Sequence, residues 1–160
     1  MAARASVRHE DFDLSAEVAA LRASDPRVGA VATFVGTVRD RHGDDAGVHA
    51  LELEHYPGMT EAALEAMIDE AHRRFDILGA RIVHRVGRLA PADQIVLVAV
   101  TSAHRAQALE ACAFLMDYLK TQAPFWKKEC TAQGERWVDA RVSDDDALRR
   151  WGIEAGNARA

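Results

Sequence analysis

Six cations stand out for the chemistry they could do: Arg39, His104, Arg105, Lys120, Lys127 and Lys128. His104 and Arg105 follow Ser102, a residue type that caps helices. That places the pair in a first helical turn, where open N–H groups and the helix dipole favour an anion such as phosphate. Lys120 falls in the last turn of the same segment, because Pro124 disfavours helix at Ala123. His104 and Lys120 are sixteen residues apart, about 24 Å along a helix at roughly 1.5 Å per residue. One small ligand cannot touch both, so either there are two sites or one site is shared between subunits. Lys127 and Lys128 follow an apolar wall, Pro124-Phe125-Trp126. A lysine partly desolvated there would have its pKa lowered and its amine available as nucleophile or base, whereas Arg39 and Arg105 would stay charged and grip phosphate. Each cation also has a bland explanation. The dipole alone favours Lys120, and Lys127 and Lys128 could merely guard an edge strand against aggregation.

Other chemistries lack their residues. There is no phosphate-binding glycine loop, no HExxH and no GxSxG. Histidines occur singly, so no metal site is expected. Cys112 lies among apolar residues as a small core hydrophobe, and Cys130 has no paired base nearby in sequence. Twenty basic against twenty-five acidic residues give a net charge of −5, which argues against generic binding to nucleic acid or an anionic membrane. Two cysteines without CxxC spacing, and a start without an apolar run, read as a cytoplasmic, reduced chain.

The elements that must position these cations follow from periodicity. The 160 residues suit one domain, with residues 1–8 and 152–160 expected as flexible tails. Asp13 or Ser15 caps a short helix ended by Asp25-Pro26. Val28 to Val38 is β-branched and reads as a central strand with Arg39 at its mouth. Val48 to His55 alternates as a strand and is expected to form a long-looped hairpin with it. Leu64, Met67, Ile68, Ala71 and Phe75 mark a helix from about Thr60, with Gly79 as its terminator. Arg81–Leu89 and Gln94–Thr101 read as two antiparallel strands around Pro91-Ala92-Asp93. The long helix follows, with Leu109, Ala113, Met116 and Leu119 as its buried face. A hairpin over Phe125–Cys130 and Arg136–Val142 comes next, then a short helix capped by Ser143 and Asp146. This order is α+β with a mainly antiparallel sheet.

Four blocks are recognisable together: ALELEHYPGMTEAAL at 50–64, VTSAHR at 100–105, MDYLKTQAPFWKKE at 116–129 and RWVDAR at 136–141. In order from about Val28 to Trp151, the chain resembles the catalytic large subunit of molybdopterin synthase, the MoaE type. The resemblance implies a hammerhead-like α+β fold with a small extra β-hairpin subdomain, a homodimer, and a heterotetramer with a small ubiquitin-like sulfur carrier. It also implies the reaction: the carrier's C-terminal Gly-Gly thiocarboxylate gives sulfur to cyclic pyranopterin monophosphate, twice, forming the dithiolene of molybdopterin without metal or nucleotide. On this resemblance Lys120 and Lys127 are catalytic, and Arg39, His104, Arg105, Lys128 and Arg141 bind substrate. Thr37 stands in GTVR where many relatives carry Lys, so one cationic contact is either absent or replaced by a hydroxyl hydrogen bond. The helix length adds that His104 and Arg105 serve the neighbouring subunit's pocket. The rival readings are a non-catalytic module holding a carrier's Gly-Gly tail, and a phosphate-ester hydrolase using His104.

Overall fold

The computed structural model describes residues 4–40, 48–131, 134–138 and 147–153. Its elements run β1 (Ala5–Arg8), α1 (Leu14–Ala23), β2 (Ala30–Thr37), β3 (Val48–His55), α2 (Met59–Arg74), β4 (Gly79–Arg85), β5 (Gly87–Leu89), β6 (Gln94–Ser102), α3 (Arg105–Gln122), β7 (Phe125–Thr131) and β8 (Gly134–Val138). They form two four-stranded sheets, ordered β1-β4-β6-β2 and β5-β3-β7-β8. Every pairing is antiparallel except β1 with β4. The α+β, mainly antiparallel architecture is therefore as the sequence implies. The hairpin of β7 and β8 is not a lone appendage, because β3 and β5 extend it into the second sheet. No helix among the described residues is long and apolar enough to cross a membrane.

The first sheet is buried on both faces. Ile82, Val96, Val98 and Val100 meet Leu64, Ile68, Phe114 and Leu115 of α2 and α3 on one side, while Phe12, Val83, Leu97 and Ala99 pack with Leu14 and Leu21 on the other. Asp13 is the cap of α1, its Oδ1 accepting from the Ala16 N–H at 3.1 Å. A third cluster, Val38, Leu51, Leu53, Val86 and Leu89, joins the two sheets. The chain passes between them at Val86-Gly87. Gly87 has φ 88°, and a Cβ there would come within 2.6 Å of His9 Nδ1, so both backbone and space require glycine.

Several expectations are corrected. Residues 5–8 are not a frayed tail, since β1 lies in register beside Ile82 to Arg85. Val28–Val38 yields an edge strand, not a central one. It is apolar because Ala32 packs into the core under α3 and Val35 into the opposite one, while Phe34 stays 40% exposed. It does not form a hairpin with β3, which belongs to the other sheet. The single strand expected over Arg81–Leu89 breaks at Val86 into β4 and β5. Gly79 opens β4 instead of ending α2, whose C-cap is Phe75. α3 starts at Arg105 with His104 at its N-cap, because Ser102 stays in the ladder opposite Ala30. Ser102 still serves the helix start, as its Oγ accepts from the His104 N–H at 3.3 Å. Leu109 is 60% exposed; Met116 and Leu119 are buried as expected, and the rest of the buried stripe is Ala108, Ala111, Cys112, Phe114 and Leu115, in place of Leu109 and Ala113.

Phe114 anchors α3, fully buried and with its ring centroid 5.5 Å from those of Phe75, Tyr118 and Trp151. Phe114→Ala should cost about 3–5 kcal/mol, read as a lower urea midpoint. A loss below about 1 kcal/mol, the ordinary effect of a point mutation, would show that this cluster does not hold the helix.

Candidate active site

Antiparallel packing separates the cations into two groups. Along β2 and β6, Ala30 pairs with Ser102 at one end and Thr37 with Gln94 at the other. The chain leaves β6 at Ser102, and α3 runs back over the sheet to Lys120. Lys120 therefore ends beside the row His84, Val96 and Gly36, next to Thr37 and Arg39, and its charge acts on the His84 ring. His104 and Arg105 lie at the far end of the helix, about 24 Å away at 1.5 Å per residue. Thr37, Arg39, His104, Arg105 and Lys120 are all exposed.

Alternation along β7 separates the two neighbouring lysines. Phe125 and Lys127 share the face of Leu53 and His55, their register partners on β3. Phe125 lies flat on His84, with ring centroids 3.8 Å apart and planes 19° apart, so this face leads toward Lys120. Trp126 and Lys128 point the other way. Trp126 tilts against Tyr56, and Lys128 Nζ lies 3.2 Å from Glu135 Oε2, 3.6 Å from Glu52 Oε2 and 5.2 Å from the centre of the Trp137 ring. The hydrogen bond to Glu135 raises the Lys128 ammonium above its ordinary value. Two expectations fail here. Trp126 does not wall in Lys127, and β7 is no edge strand, because β3 and β8 flank it. The structure brings Arg39, Thr37, Lys120 and Lys127 to one end of the molecule, leaves His104 and Arg105 at the other, and turns Lys128 to the outer face. Arg141 and the cap at Ser143 and Asp146 lie outside the described residues.

The sequence alone does not single out His84 or the pair His55–Glu61, and it offers Phe125 as a wall for the lysines and not as the partner of His84. His84 is 5% exposed, and its Nδ1 lies 2.8 Å from the Arg85 carbonyl. Because a carbonyl only accepts, Nδ1 carries the proton. Burial pushes this imidazole down to about 4, with Lys120 and His55 lowering it further against the opposing hydrogen bond. One signal does exist: His84 has the parity of Ala80 and Ile82, which face α2 and α3. His55 Nε2 lies 3.4 Å from Glu61 Oε1, an oxygen that is buried without a hydrogen bond among the described residues.

The cysteines stand apart from this site. Cys112 is 7% exposed and burial pushes its thiol up to about 11, so it is core as expected. Cys130 is buried beside Arg88, whose Nη1 lies 3.5 Å from Sγ. Glu52, Cys130 and Glu135 are close enough together to hold a metal, but Lys128 and Arg88 already sit among them as cations. A cavity of about 510 Å³ lined by Glu17, Leu21, Ala80 and Arg81 lies beside α1, toward the other end of β4 from His84.

A family model described as MoaE protein matches residues 7–122 of this chain. The chain belongs to the MoaE family. The molybdopterin synthase catalytic subunit of Ralstonia nicotianae is 63% identical over 154 residues, covering 96% of this chain and 87% of that one. A solved MoaE protein from Burkholderia ambifaria MC40-6 matches with a TM-score of 0.82 at 61% identity, over 96% of this chain and all of that one. A structure titled as a complex of subunits 1 and 2 of molybdopterin-converting factor from Helicobacter pylori shares the fold, with a TM-score of 0.72 at 20% identity, covering 87% and 92%.

The low pKa of His84 has a consequence for stability. The unfolded imidazole, near 6.5, takes up a proton before the folded one, near 4. The contribution of His84 is therefore fully present above about pH 6.5 and is lost as pH falls toward 4, by on the order of 3 kcal/mol in all. Urea unfolding at about pH 7 and about pH 4.5 should show a smaller acid loss in His84→Phe than in wild type, and equal losses would refute the assignment.

Proposed function

We propose that this chain is the catalytic partner of a small sulfur-carrier protein and moves sulfur from the carrier's C-terminal Gly-Gly thiocarboxylate to cyclic pyranopterin monophosphate, in the cytoplasm. One observation carries the reading: a chain of the MoaE family, 63% identical to a molybdopterin synthase catalytic subunit, gathers Arg39, Lys120 and Lys127 at one end of its fold. An anionic tail and an anionic phosphate both need such a site.

The residues suggest the order of events. The thiocarboxylate sulfur bonds to a carbon of the pterin's side chain as a carbon–oxygen bond at that carbon breaks, the oxygen leaving as water or with the opened phosphate ester, and a thioester to the carrier's terminal glycine results. A second nucleophile must then break the acyl–sulfur bond. That nucleophile is the Lys120 amine, or a water that gives Lys120 its proton. The sulfur departs as a thiolate on the pterin and the acyl group passes to nitrogen or oxygen. The docked tail would displace water around Lys120, and desolvation favours the uncharged amine. Lys127, on the face leading to Lys120, balances the charge developing on the acyl oxygen. Arg39 and Thr37 hold the substrate's anionic end. A second carrier repeats the transfer to complete the dithiolene.

His104 and Arg105 enter through a second copy of the chain. Lying about 24 Å from Lys120, they cannot serve the same pocket within one protomer. The homodimer of this reading brings them to the partner's Lys120 end, and two carriers complete a heterotetramer. Lys128, paired with Glu52 and Glu135 on the outer face, acts by holding that face together.

Two measurements test this. Mass spectrometry of the pterin after mixing protein, cyclic pyranopterin monophosphate and thiocarboxylated carrier should show two added sulfurs with wild type and none with Lys120→Ala; carrier binding without transfer by wild type would leave a binding module. Mixing two inactive variants, Lys120→Ala and His104→Ala, should restore activity, since a mixed dimer retains one intact site. No recovery in mixed dimers would place both residues in one protomer's pocket.

A further inference from the structure

Arg39 leaves the first sheet against a four-residue turn, Ala90-Pro91-Ala92-Asp93, which the proposed chemistry leaves unused. Among the described residues no hydrogen bond or ion pair holds the exposed Arg39 side chain, so its guanidinium lies where the backbone sends it. That backbone is fixed one residue earlier. Val38 donates its N–H to the Asp93 carbonyl at 2.9 Å, and its own carbonyl accepts from the Ala92 N–H at 2.7 Å. The Val38 side chain, 2% exposed, is pinned in the cluster between the two sheets. Just before this clamp the register of β2 on β6 slips by one residue, with Gly36 opposite Val96 and Thr37 opposite Gln94. The turn, and not the regular ladder, therefore sets the direction in which the chain departs toward Arg39.

The turn is built on a disfavoured residue. Pro91 in its second place and a left-handed residue in its third are the pattern of a type II turn, which prefers glycine in that third place. Ala92 stands there with φ 76°, the only positive φ outside glycine among the described residues, and its Cβ makes that conformation costly. Asp93 offsets the cost. Its Oδ2 accepts from the Ala90 N–H at 2.8 Å, and its own N–H donates to the Ala90 carbonyl at 3.0 Å, so the turn is closed twice across the same two residues.

We infer that Asp93 is a positioning residue for Arg39: its carboxylate closes the turn with Ala92 left-handed, the Ala92 N–H and Asp93 carbonyl then grip Val38, and Arg39 is presented in one direction to the substrate's anionic end. A guanidinium meets a phosphate through a planar fork, so the direction of approach decides how many of its N–H groups engage. Loosening the turn weakens the hold on the pterin and leaves the carrier's docking untouched.

This role depends on Arg39 holding the substrate's anionic end, as proposed above, so two independent quantities are measured in wild type, Asp93→Ala and Asp93→Asn. One is amide hydrogen exchange at Val38, with Val98 in the middle of the first sheet as the reference for global opening. The other is KM for cyclic pyranopterin monophosphate and for the carrier. Loss of a hydrogen bond to a charged acceptor should speed exchange at Val38 about tenfold in Asp93→Ala, with Val98 unmoved, and raise KM for the pterin about tenfold, with KM for the carrier unchanged. Asp93→Asn keeps an oxygen for the Ala90 N–H and should restore both. Ala92→Gly added to Asp93→Ala should also restore both, because glycine holds the turn without help. In an Arg39→Ala background, Asp93→Ala should raise KM for the pterin no further. Unmoved exchange at Val38 would overturn the inference, as would a full additional loss in the Arg39→Ala background or equal losses in the Ala and Asn variants. If Arg39→Ala itself left KM for the pterin unchanged, the role of Arg39 in the functional reading would fall, while exchange at Val38 would still decide whether Asp93 holds the turn.

Discussion

The length of α3 constrains everything else. Eighteen helical residues and nine strand residues cover nearly the same distance, about 27 Å at 1.5 Å per residue against about 30 Å at 3.3 Å. The helix therefore spans the whole of β6, delivering whatever precedes it to one edge of the layer and whatever closes it to the other. Ala111, Phe114 and Leu115, all fully buried, lock this alignment. Once they are in place, no rotamer change can bring His104 to Lys120 within one chain.

That constraint is legible in the amino-acid order, because it needs only a cap, a proline and a count. The α+β class is legible for the same reason, since alternating and helical periods are local. Pairing is not. The apolar run from Val28 reads as a central strand, yet composition reports contact with a core and says nothing about neighbours in the sheet, so an edge strand under α3 looks the same. Leu109 falls off the expected face because the buried stripe is set by where β6 lies beneath the helix, and a one-residue error turns a leucine outward by about 100°.

The site is half legible. Charged residues announce themselves in sequence, and Arg39, Lys120 and Lys127 do share one end. Lys127 and Lys128 look equivalent only while their strand is unpaired; the register with Leu53 and Glu52 divides them between a face turned toward His84 and a face bearing carboxylates. His84 is silent because a histidine in an apolar strand has no mark of its own. Its meaning comes from Phe125, forty-one residues on, and from the Arg85 carbonyl, which settles the tautomer.

The break between β4 and β5 has a mechanical meaning. Only Val86 separates Arg85, in the first sheet, from Gly87, in the second. His84, which stacks on Phe125, and Leu89, which packs beneath the second sheet, thus lie on one continuous ribbon without a flexible spacer. Val86 is itself buried, so the crossing is clamped. A load placed on the second sheet passes to the imidazole along covalent bonds within five residues, and the two layers respond as a single lever.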